Sequence, residues 1–520
     1  MPRSSRSPEP SVTALVTLLA VTLVAAGVLA YANSFGGPFV LDDVPSITRN
    51  PSIASLWPPQ WLNGPPHSAT SGRPVLNFTL ALNHALGGLS VAGYHALNLL
   101  IHLAAGLALF GVVRRTLTSD RLRSRFGDVA APLAFAVALV WIVHPLTTGA
   151  VTYVVQRGES LSSLFLLLTL YCAIRGWAWG AAIACALGLG TKETMVFAPV
   201  LVVLWDRLFR QEGARRWRFY GALAATLIVL FVPMVSETQG RTAVLRMLGY
   251  VGRVPGDEWS PWSYLWTQAD VIAHYLVLVF RPWPLAFDYY DWPQAYSPFD
   301  VWPQALLIGA LFALTVLAVV RKWPAGFAGA VFFLVLAPTS SLLPIPTEVA
   351  AEHRMYLPLA AVIALTLVSA CALLRARAAD AAPAGLPPRL RLAVALLLWA
   401  AFIGAATLTR VRNVDYSSAA ALWGDAVRKR PGNARARIYY GLELMASNQY
   451  AEAEALMRGA LPFRMDRPTR GSVYLQLGSA VAAQGRLDEA TGFLERALEL
   501  EPGLHTADLM LAEIRRRKGS

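Results

Sequence analysis

Asp42 and Asp43 are adjacent carboxylates that follow shortly after a uniformly apolar run from Val12 to Ala30. The flanking stretch GPFVLDDVP at 37–45 braces the pair with prolines and apolar residues rather than with polar loop residues. A carboxylate held in this way can act as a general base, because a positioned side chain can take a proton from an attacking hydroxyl. Aspartate is also favoured at helix N-caps and turns, so this fragment leaves a purely structural role equally open.

Several further ionisable side chains lie within or beside apolar segments, where charge is costly unless it faces a bundle interior or a wet cavity. Each is therefore a site hypothesis. The candidate substrate-binding residues are His95, His102, Arg157, Glu159, Lys192, Glu352, His353 and Arg354. Lysine meets a phosphate as a point charge and arginine can grip one bidentately. Lys192 and Arg354 are therefore the candidates for binding an anionic group.

The charged candidates also have structural explanations. Lys192 could be neutralised by Glu193 or by another carboxylate, and Arg157 could form a salt bridge with Glu159. No phosphate-binding P-loop, GxSxG elbow, HExxH or CxxC motif occurs in the chain. Soluble-type nucleotide hydrolysis, serine hydrolysis and zinc proteolysis therefore have no support from motifs.

His95 and His102 lie with Asn98 on one face of a predicted helix, since the three positions follow helical spacing. The two histidines are two turns apart, about 10 Å, which is too far to share a metal ion. Hydrogen bonding to a neighbouring helix is the alternative role for both. The chain's three cysteines lie in apolar segments without metal-ligand spacing. The sequence thus predicts no metal site and indicates neither a divalent metal nor another cofactor.

The overall composition is that of a polytopic membrane protein. Of the 520 residues, 55% are hydrophobic and 15% are charged, and the mean hydropathy is +0.46. A soluble domain of this size does not need so apolar a chain. The net charge of +13 comes largely from arginines in short loops beside apolar runs, where they set topology and meet lipid headgroups. Membrane lipids are therefore the predicted partners of this charge, and nucleic acid is not.

Apolar runs long enough to cross or nearly cross a bilayer recur along the chain, given that a span needs about 20 residues. They lie at 12–32, 94–113, 129–146, 159–175, 177–190, 194–209, 218–235, 264–281, 303–320, 325–342, 355–374 and 391–409. Basic segments at 114–125, 207–218, 321–322 and 375–391 predict cytoplasmic loops by the positive-inside rule. Two of these anchors, 207–218 and 321–322, require an even number of crossings between them, but three apolar runs lie there.

The run 264–281 is the one that we expect not to cross. It contains Asp270 and His274 and is framed by tryptophans, a pattern typical of the membrane interface. The prediction is therefore about 11 spans plus one interfacial helix. This arrangement puts Asp42, Lys192, Arg354 and the C-terminus on the extracytoplasmic side.

After Arg410 the chain becomes a charged, alanine-rich helical sequence. The tetratricopeptide template, with small residues where its helices cross, is matched by Tyr474, Leu477, Gly478, Ala490, Ala497 and Pro502. An earlier copy, about 37 residues upstream, contains Tyr440, Gly441, Ala453 and Ala460. An insertion at 463–468 lengthens the period. A soluble cap docked on the membrane domain and a groove that holds a protein or peptide are equally open roles for this region.

Taken together and in order, several segments resemble the transmembrane and tetratricopeptide-repeat O-mannosyltransferases and their bacterial relatives, which are GT-C glycosyltransferases. These segments are FVLDD at 39–43 with Ile47 and Asn50, RPV at 73–75 to Asn83, GYH at 93–95, NLLIH at 98–102, VHP at 143–145, TYV at 152–154, RG at 157–158, TKE at 191–193 and EHRMYLP at 352–358. The resemblance implies an all-α GT-C-type membrane domain at 1–410 and a tetratricopeptide-repeat solenoid at 411–520. It identifies the chain as similar to bacterial-type members with a short repeat array.

The resemblance implies an inverting enzyme that moves mannose or a similar hexose from a polyprenyl-phosphate carrier to a hydroxyl on a protein or glycan. An aspartate of the first outer loop is then the base, which favours Asp42, with Asp43 as its orienter. Lys192 and Arg354, helped by His353, would stabilise the departing lipid phosphate.

The resemblance also implies a bacterial inner-membrane protein whose active site and repeats face the periplasm. The repeats would hold the acceptor, although the array is shorter than in eukaryotic members. The alternative is a non-catalytic flippase for lipid-linked sugars, or a scaffold for envelope polymer assembly, whose repeats recruit partners. Such a protein would need the basic cavity but not Asp42 and Asp43.

Overall fold

The computed structural model describes residues 12–210, 216–236, 259–342, 344–381, 388–463 and 465–519. Within these ranges every regular element is a helix, which confirms the all-α prediction. The α-helices are α1 (Val12–Tyr31), α2 (Pro74–Gly87), α3 (Val91–Leu117), α4 (Arg123–Phe126), α5 (Ala130–Ile142), α6 (Thr148–Thr152), α7 (Arg157–Arg175), α8 (Ala178–Leu189), α9 (Ala198–Phe209), α10 (Trp217–Ser236), α11 (Pro261–Phe280), α12 (Trp302–Val320), α13 (Ala325–Ala337), α14 (Tyr356–Ala381), α15 (Pro388–Asp415), α16 (Ala419–Lys429), α17 (Ala434–Ala446), α18 (Tyr450–Arg458), α19 (Arg467–Ala483), α20 (Leu487–Leu500) and α21 (His505–Gly519). The predicted basic segments 207–218 and 375–391 and the predicted insertion 463–468 lie partly outside the described residues.

Five helical stretches of the described chain are long and apolar enough to cross a membrane. They are Val12–Tyr31, Val91–Leu117, Val154–Arg175, Pro298–Val320 and Glu352–Arg377. A bent pair, Ala130–Ile142 with Pro145–Thr152, makes a sixth if it counts as one span. α11 is not among them, while α8 and the segment Ala325–Ser341 are shorter apolar helices. Several apolar helices are therefore present, and the larger number of crossings remains a prediction.

The bent pair differs from the continuous span that the sequence predicts at 129–146. The two helices are inclined by 58°, because Pro145 has no N–H to continue the helix and forces His144 into an extended conformation. The ring of His144 accepts a hydrogen bond from the Leu146 N–H at 3.2 Å. The break directs the chain across the end of the bundle, toward Tyr153 and Arg157.

Small residues and one histidine hold the centre of the bundle together. A Cβ atom at Gly106 of α3 would lie 2.7 Å from the Ile142 side chain, and one at Gly27 of α1 would lie 2.5 Å from Leu103. Such positions let helix backbones approach closely. The buried His102 ring contacts the Tyr356 hydroxyl at 2.7 Å and the Ile142 carbonyl at 2.8 Å. These contacts fix α3 against α5 and α14.

The chain after α15 forms antiparallel helical hairpins. At Gly441 and Gly478 a Cβ would lie 2.7 Å from Met457 and Leu494 of the partner helices. Ala453, Ala490 and Ala497 are fully buried. The small residues that the sequence analysis picked out therefore lie where these helices cross.

The first hairpin docks on the loops at the Asp42 end of the bundle. Arg435 donates to the Thr347 carbonyl at 2.8 Å, and Arg430 pairs with Asp291 at 2.5 Å. Asn33, just after α1, donates to the Arg410 carbonyl at 2.9 Å. The C-terminal helices and Asp42 therefore lie at the same end, which we call the outer end.

Candidate active site

The two aspartates occupy different environments. Asp43 is fully buried, and its carboxylate accepts the backbone N–H groups of Val40 at 3.0 Å and Val155 at 2.7 Å. Burial raises the pKa of Asp43 to about 8, although these two donors lower it. Asp43 thus ties its own loop to the segment that follows the bent pair.

Asp42 is exposed to solvent at the surface of the loop. Its backbone N–H donates to the Tyr153 hydroxyl at 2.9 Å. The preceding residue, Leu41, has a φ of 44°, a left-handed conformation that costs a leucine about 1–3 kcal/mol. The loop therefore stores strain in the residue that presents the Asp42 carboxylate, and surrounding contacts must hold it in place.

Charged groups around Asp42 tune its acidity. Partial desolvation by the surrounding loops raises the pKa of the Asp42 carboxyl above its usual value, and the negative charge of Glu348 raises it further. Arg435 and Arg73 lower it. A carboxyl with a raised pKa is a stronger base once ionised, which suits proton abstraction near neutral pH.

Glu348 connects Asp42 to the predicted anion-binding residues. Its carboxylate lies 3.4 Å from Arg354 and 3.7 Å from the His353 ring. The Arg354 side chain is only 2% exposed, and its guanidinium also donates to the carbonyls of Glu348 and Val349 at 2.5 and 3.3 Å. Arg354 thus orders the loop that carries Glu348. Its guanidinium is more enclosed than the sequence prediction of a phosphate-binding arginine requires.

Two further cation–carboxylate pairs belong to this cluster. Lys192 pairs with Glu159, and both side chains are buried. Arg73 pairs with Glu193 at 3.0 Å, and both of these remain partly exposed. Burial raises the pKa of Glu193, but Arg73 and Lys192 outweigh it and bring the value to about 2.

Arg157 is fully buried and contacts residues other than Glu159. Its guanidinium donates to the Asn98 side chain at 2.6 Å and to the carbonyls of Thr79 and Tyr94, each at 3.1 Å. The Arg157–Glu159 salt bridge considered from the sequence is thus replaced by a Lys192–Glu159 pair. Arg157 orders the packing behind the site.

The remaining candidates lie behind the surface of the cluster. His95 contacts the Gly37 carbonyl at 2.9 Å, which braces the Asp42 loop. His102 lies in the bundle core, where both ring nitrogens have partners. Glu352 accepts from the Tyr289 hydroxyl at 2.5 Å and the Ala286 N–H at 2.6 Å, and lies 3.8 Å from Arg412.

The structure thus brings Asp42, Lys192, Glu159, His353 and Arg354 to the outer end, with Asp43, Arg157 and His95 behind them. Sequence reasoning missed three residues that link them, namely Glu348, Arg435 and Arg412, and gave no role to Arg73 of the RPV segment. Glu348 lies four residues before the EHRMYLP segment, which was an available signal. Across the described ranges, no group of three or more His, Cys, Asp or Glu residues is arranged to hold a metal ion.

Comparison with known proteins finds relatives that are named protein O-mannosyl-transferases. Human protein O-mannosyl-transferase TMTC2 is 29% identical over 203 residues, covering 35% of this chain and 23% of the relative. Human TMTC1 is 32% identical over 161 residues, 29% of this chain and 17% of the relative. Tmtc2 of Drosophila melanogaster is 29% identical over 286 residues, 50% of this chain and 29% of the relative. No protein-family model matches the chain.

The chain therefore matches only between 17% and 29% of the length of these curated relatives. The homology is to the TMTC group of protein O-mannosyl-transferases and covers part of the chain.

Proposed function

We propose that this protein is an integral-membrane glycosyltransferase that moves mannose or a similar hexose from a polyprenyl-phosphate carrier to a hydroxyl of a protein acceptor. The observation that carries the proposal is that an exposed Asp42, presented by the strained Leu41, lies beside a cluster of cations at one end of an apolar helix bundle. The homology to protein O-mannosyl-transferases supports the same chemistry.

Asp42 is the proposed base. As the acceptor oxygen attacks the anomeric carbon, its proton passes to the Asp42 carboxylate. The bond between that carbon and the phosphate oxygen breaks, and its electron pair leaves with the lipid phosphate. Attack opposite the leaving group inverts the anomeric carbon. Asp43 orients the loop through its two backbone donors rather than reacting itself.

The cations of the cluster are the proposed partners of the lipid phosphate. Lys192, Arg73 and Arg354 each pair with a carboxylate. A phosphate can replace a carboxylate at each of them, because it offers oxygen acceptors of the same charge sign. Stabilising the charge that develops on the leaving phosphate is then their contribution to the rate.

The finer assignments are part of the same proposal. The chain would be a bacterial-type GT-C enzyme of the inner membrane, with about 11 spans, as the sequence predicts. Residues 1–410 would form its catalytic domain and residues 411–520 a tetratricopeptide-repeat solenoid. The outer end would face the periplasm, where the repeats meet the acceptor.

The direct test is transfer by the purified full chain in lipid vesicles. Polyprenyl-phosphate mannose carrying a radiolabel would be mixed with periplasmic protein acceptors, and labelled protein would be measured. Wild type should label acceptor, and the Asp42→Asn/Asp43→Asn double variant should not. Full labelling by the double variant would reject the enzyme and favour the lipid-linked-sugar flippase or scaffold, which needs neither aspartate.

A further inference from the structure

The first two C-terminal helices contact the loop that carries Asp42. We infer, on the basis of the proposed function, that α16 and α17 form part of the Asp42 site itself, and do not serve only to bind the acceptor. α16 and α17 hold Leu41 in its strained conformation, and Arg435 of α17 fixes the loop that carries Glu348 and supplies a positive charge beside Asp42.

Leu41 is the mechanical link. Its side chain packs against the apolar cluster formed by Trp423 and Ala426 of α16 and Ala436 of α17. Phe287 packs on the same cluster, with its ring 5.1 Å from that of Trp423. Because leucine disfavours a φ of 44°, the conformation persists only while such contacts hold it.

The backbone of the same loop lies against the start of the C-terminal region. A Cβ atom at Gly37 would lie 2.9 Å from the carbonyl of Tyr416. The Tyr416 side chain is buried in one cluster with Val40 and Tyr153. The Asp42 loop therefore packs against the C-terminal region from Gly37 to Leu41, through Tyr416 and the first of the C-terminal helices.

Arg435 is the electrostatic link. Its guanidinium pairs with the buried Asp288 and donates to the Thr347 carbonyl at 2.8 Å, next to Glu348. It also stacks over the Tyr290 ring at 4.7 Å. These three contacts place one side chain of the C-terminal region against two loops of the membrane domain, near Asp42.

The acidity of Asp42 reports whether Arg435 is in place. The titratable and charged groups that face Asp42 are Asp43, Arg73, Tyr153, Glu348, Arg435 and Tyr439. Of these, Arg435 and Tyr439 come from the C-terminal helices. Arg435 lowers the pKa of Asp42, so removing its charge should raise that pKa and shift the acid limb of the transfer rate to higher pH.

The experiment measures transfer against pH for the full chain with Arg435→Gln, Arg435→Lys and a matched control, Arg437→Gln. Arg437 is two residues away on α17 and contacts only the Pro431 carbonyl and the Phe463 ring among the interactions described for its guanidinium. A second variant, Asp288→Asn/Arg435→Gln, avoids leaving Asp288 buried without its partner. Protonation of Asp42 is followed in parallel by carbodiimide labelling and mass spectrometry, which needs no activity.

We expect the acid limb and the labelling of Asp42 to move to higher pH in both Arg435→Gln variants. Arg435→Lys should stay near wild type in pH dependence, and Arg437→Gln should match it. If the Arg435→Gln variants show no transfer, the pH dependence of carbodiimide labelling at Asp42 alone tests the inference. Unchanged labelling in the Gln variants, with Asp42→Asn inactive, would overturn this inference and leave the proposed function standing. An active Asp42→Asn variant would instead overturn the proposed function.

Discussion

The two ends of the helix bundle differ in the side chains that they enclose. At the outer end Asp43, Glu159, Lys192 and Arg354 are all largely buried, together with Arg412 at the start of the C-terminal region. At the opposite end, a cavity of about 340 Å³ lies between α3, α7, α9, α13 and α14. Its lining is mostly apolar and includes Leu109, Leu167, Phe209, Val331 and Ala361.

The ion pairs differ in the same way. Arg375 and Asp128, at the opposite end, pair at 2.9 Å while remaining 36% and 61% exposed. Lys192 and Glu159, at the outer end, are 8% and 7% exposed. Burying an ion pair costs desolvation energy that apolar residues of similar volume would avoid. At the opposite end the Arg216–Asp206 pair is only partly buried, with side chains 21% and 8% exposed. The buried Lys192–Glu159 pair therefore needs a functional reason, and the proposed one is phosphate binding.

The largest expected effect of a substitution at the outer end is a loss of transfer activity when Lys192 is replaced. The Lys192→Met/Glu159→Gln variant removes the cation without leaving a buried charge. We expect a loss of about 10² to 10³ in kcat/KM for the lipid-phosphate donor, as for other lost charge-stabilising groups. Glu159→Gln alone keeps the Lys192 cation but leaves it buried without a carboxylate, so its melting temperature is measured first. Once it is shown to fold, it should retain more of the rate than the double variant. Initial transfer rates at a series of donor concentrations give kcat/KM for the donor. An unchanged kcat/KM in the double variant would count against phosphate binding by Lys192.

Arg412 tests whether the outer end also depends on buried charge for stability. It lies 2.8 Å from Asp415, 3.1 Å from Asp425 and 3.8 Å from Glu352. Arg412→Met should lower the free energy of unfolding by up to about 3–5 kcal/mol, since it takes a cation from the buried Glu352 and Asp425. Asp415 and Asp425 still pair with Lys429. Unfolding in mixed micelles measures this loss. A loss as small as that of an exposed pair would remove the energetic contrast between the two ends.

Asp43 should matter for stability in a pH-dependent way. Asp43→Asn leaves one of the two backbone N–H groups without an acceptor, which costs about 1–3 kcal/mol. The wild-type carboxyl has a folded pKa of about 8 against an ordinary value of 3.8, so the folded state binds its proton more tightly. Wild-type stability on this account falls as pH rises from about 4 to about 8. The difference in melting temperature between wild type and Asp43→Asn should therefore become smaller as the pH rises over that range. A constant difference would mean that Asp43 is ionised throughout it.

The smallest effect belongs to the exposed pair at the opposite end. Arg375→Met should change the free energy of unfolding by less than about 1 kcal/mol, because solvent screens both partners. Transfer should be unaffected. A loss of activity in this variant, measured beside Arg412→Met, would show that the opposite end takes part in function.

The helical class and the residues able to do chemistry follow from composition, from apolar periodicity and from the rule that charge in an apolar segment needs a reason. Their partners do not follow, because contacts between distant parts of the chain decide them. Lys192 meets Glu159 rather than Glu193, and His102 meets Tyr356 across 254 positions. Arg412 and Arg435 belong to stretches that resemble charged surface helix in sequence. Docking of the C-terminal region buries Arg412 and partly buries Arg435. The bend before Pro145 was the local feature that the apolar pattern concealed.

The central claim is that Asp42 takes the acceptor's proton, and chemical rescue tests it most directly. Asp42→Ala creates space for a small carboxylate, so formate should restore part of the transfer rate in proportion to its concentration. Asp43→Ala is the matched control and should not respond, because the Asp43 side chain is buried and hydrogen-bonded to backbone. The account predicts an inactive Asp42→Ala variant with transfer revived by formate. Transfer at the wild-type rate by Asp42→Ala without formate would contradict it.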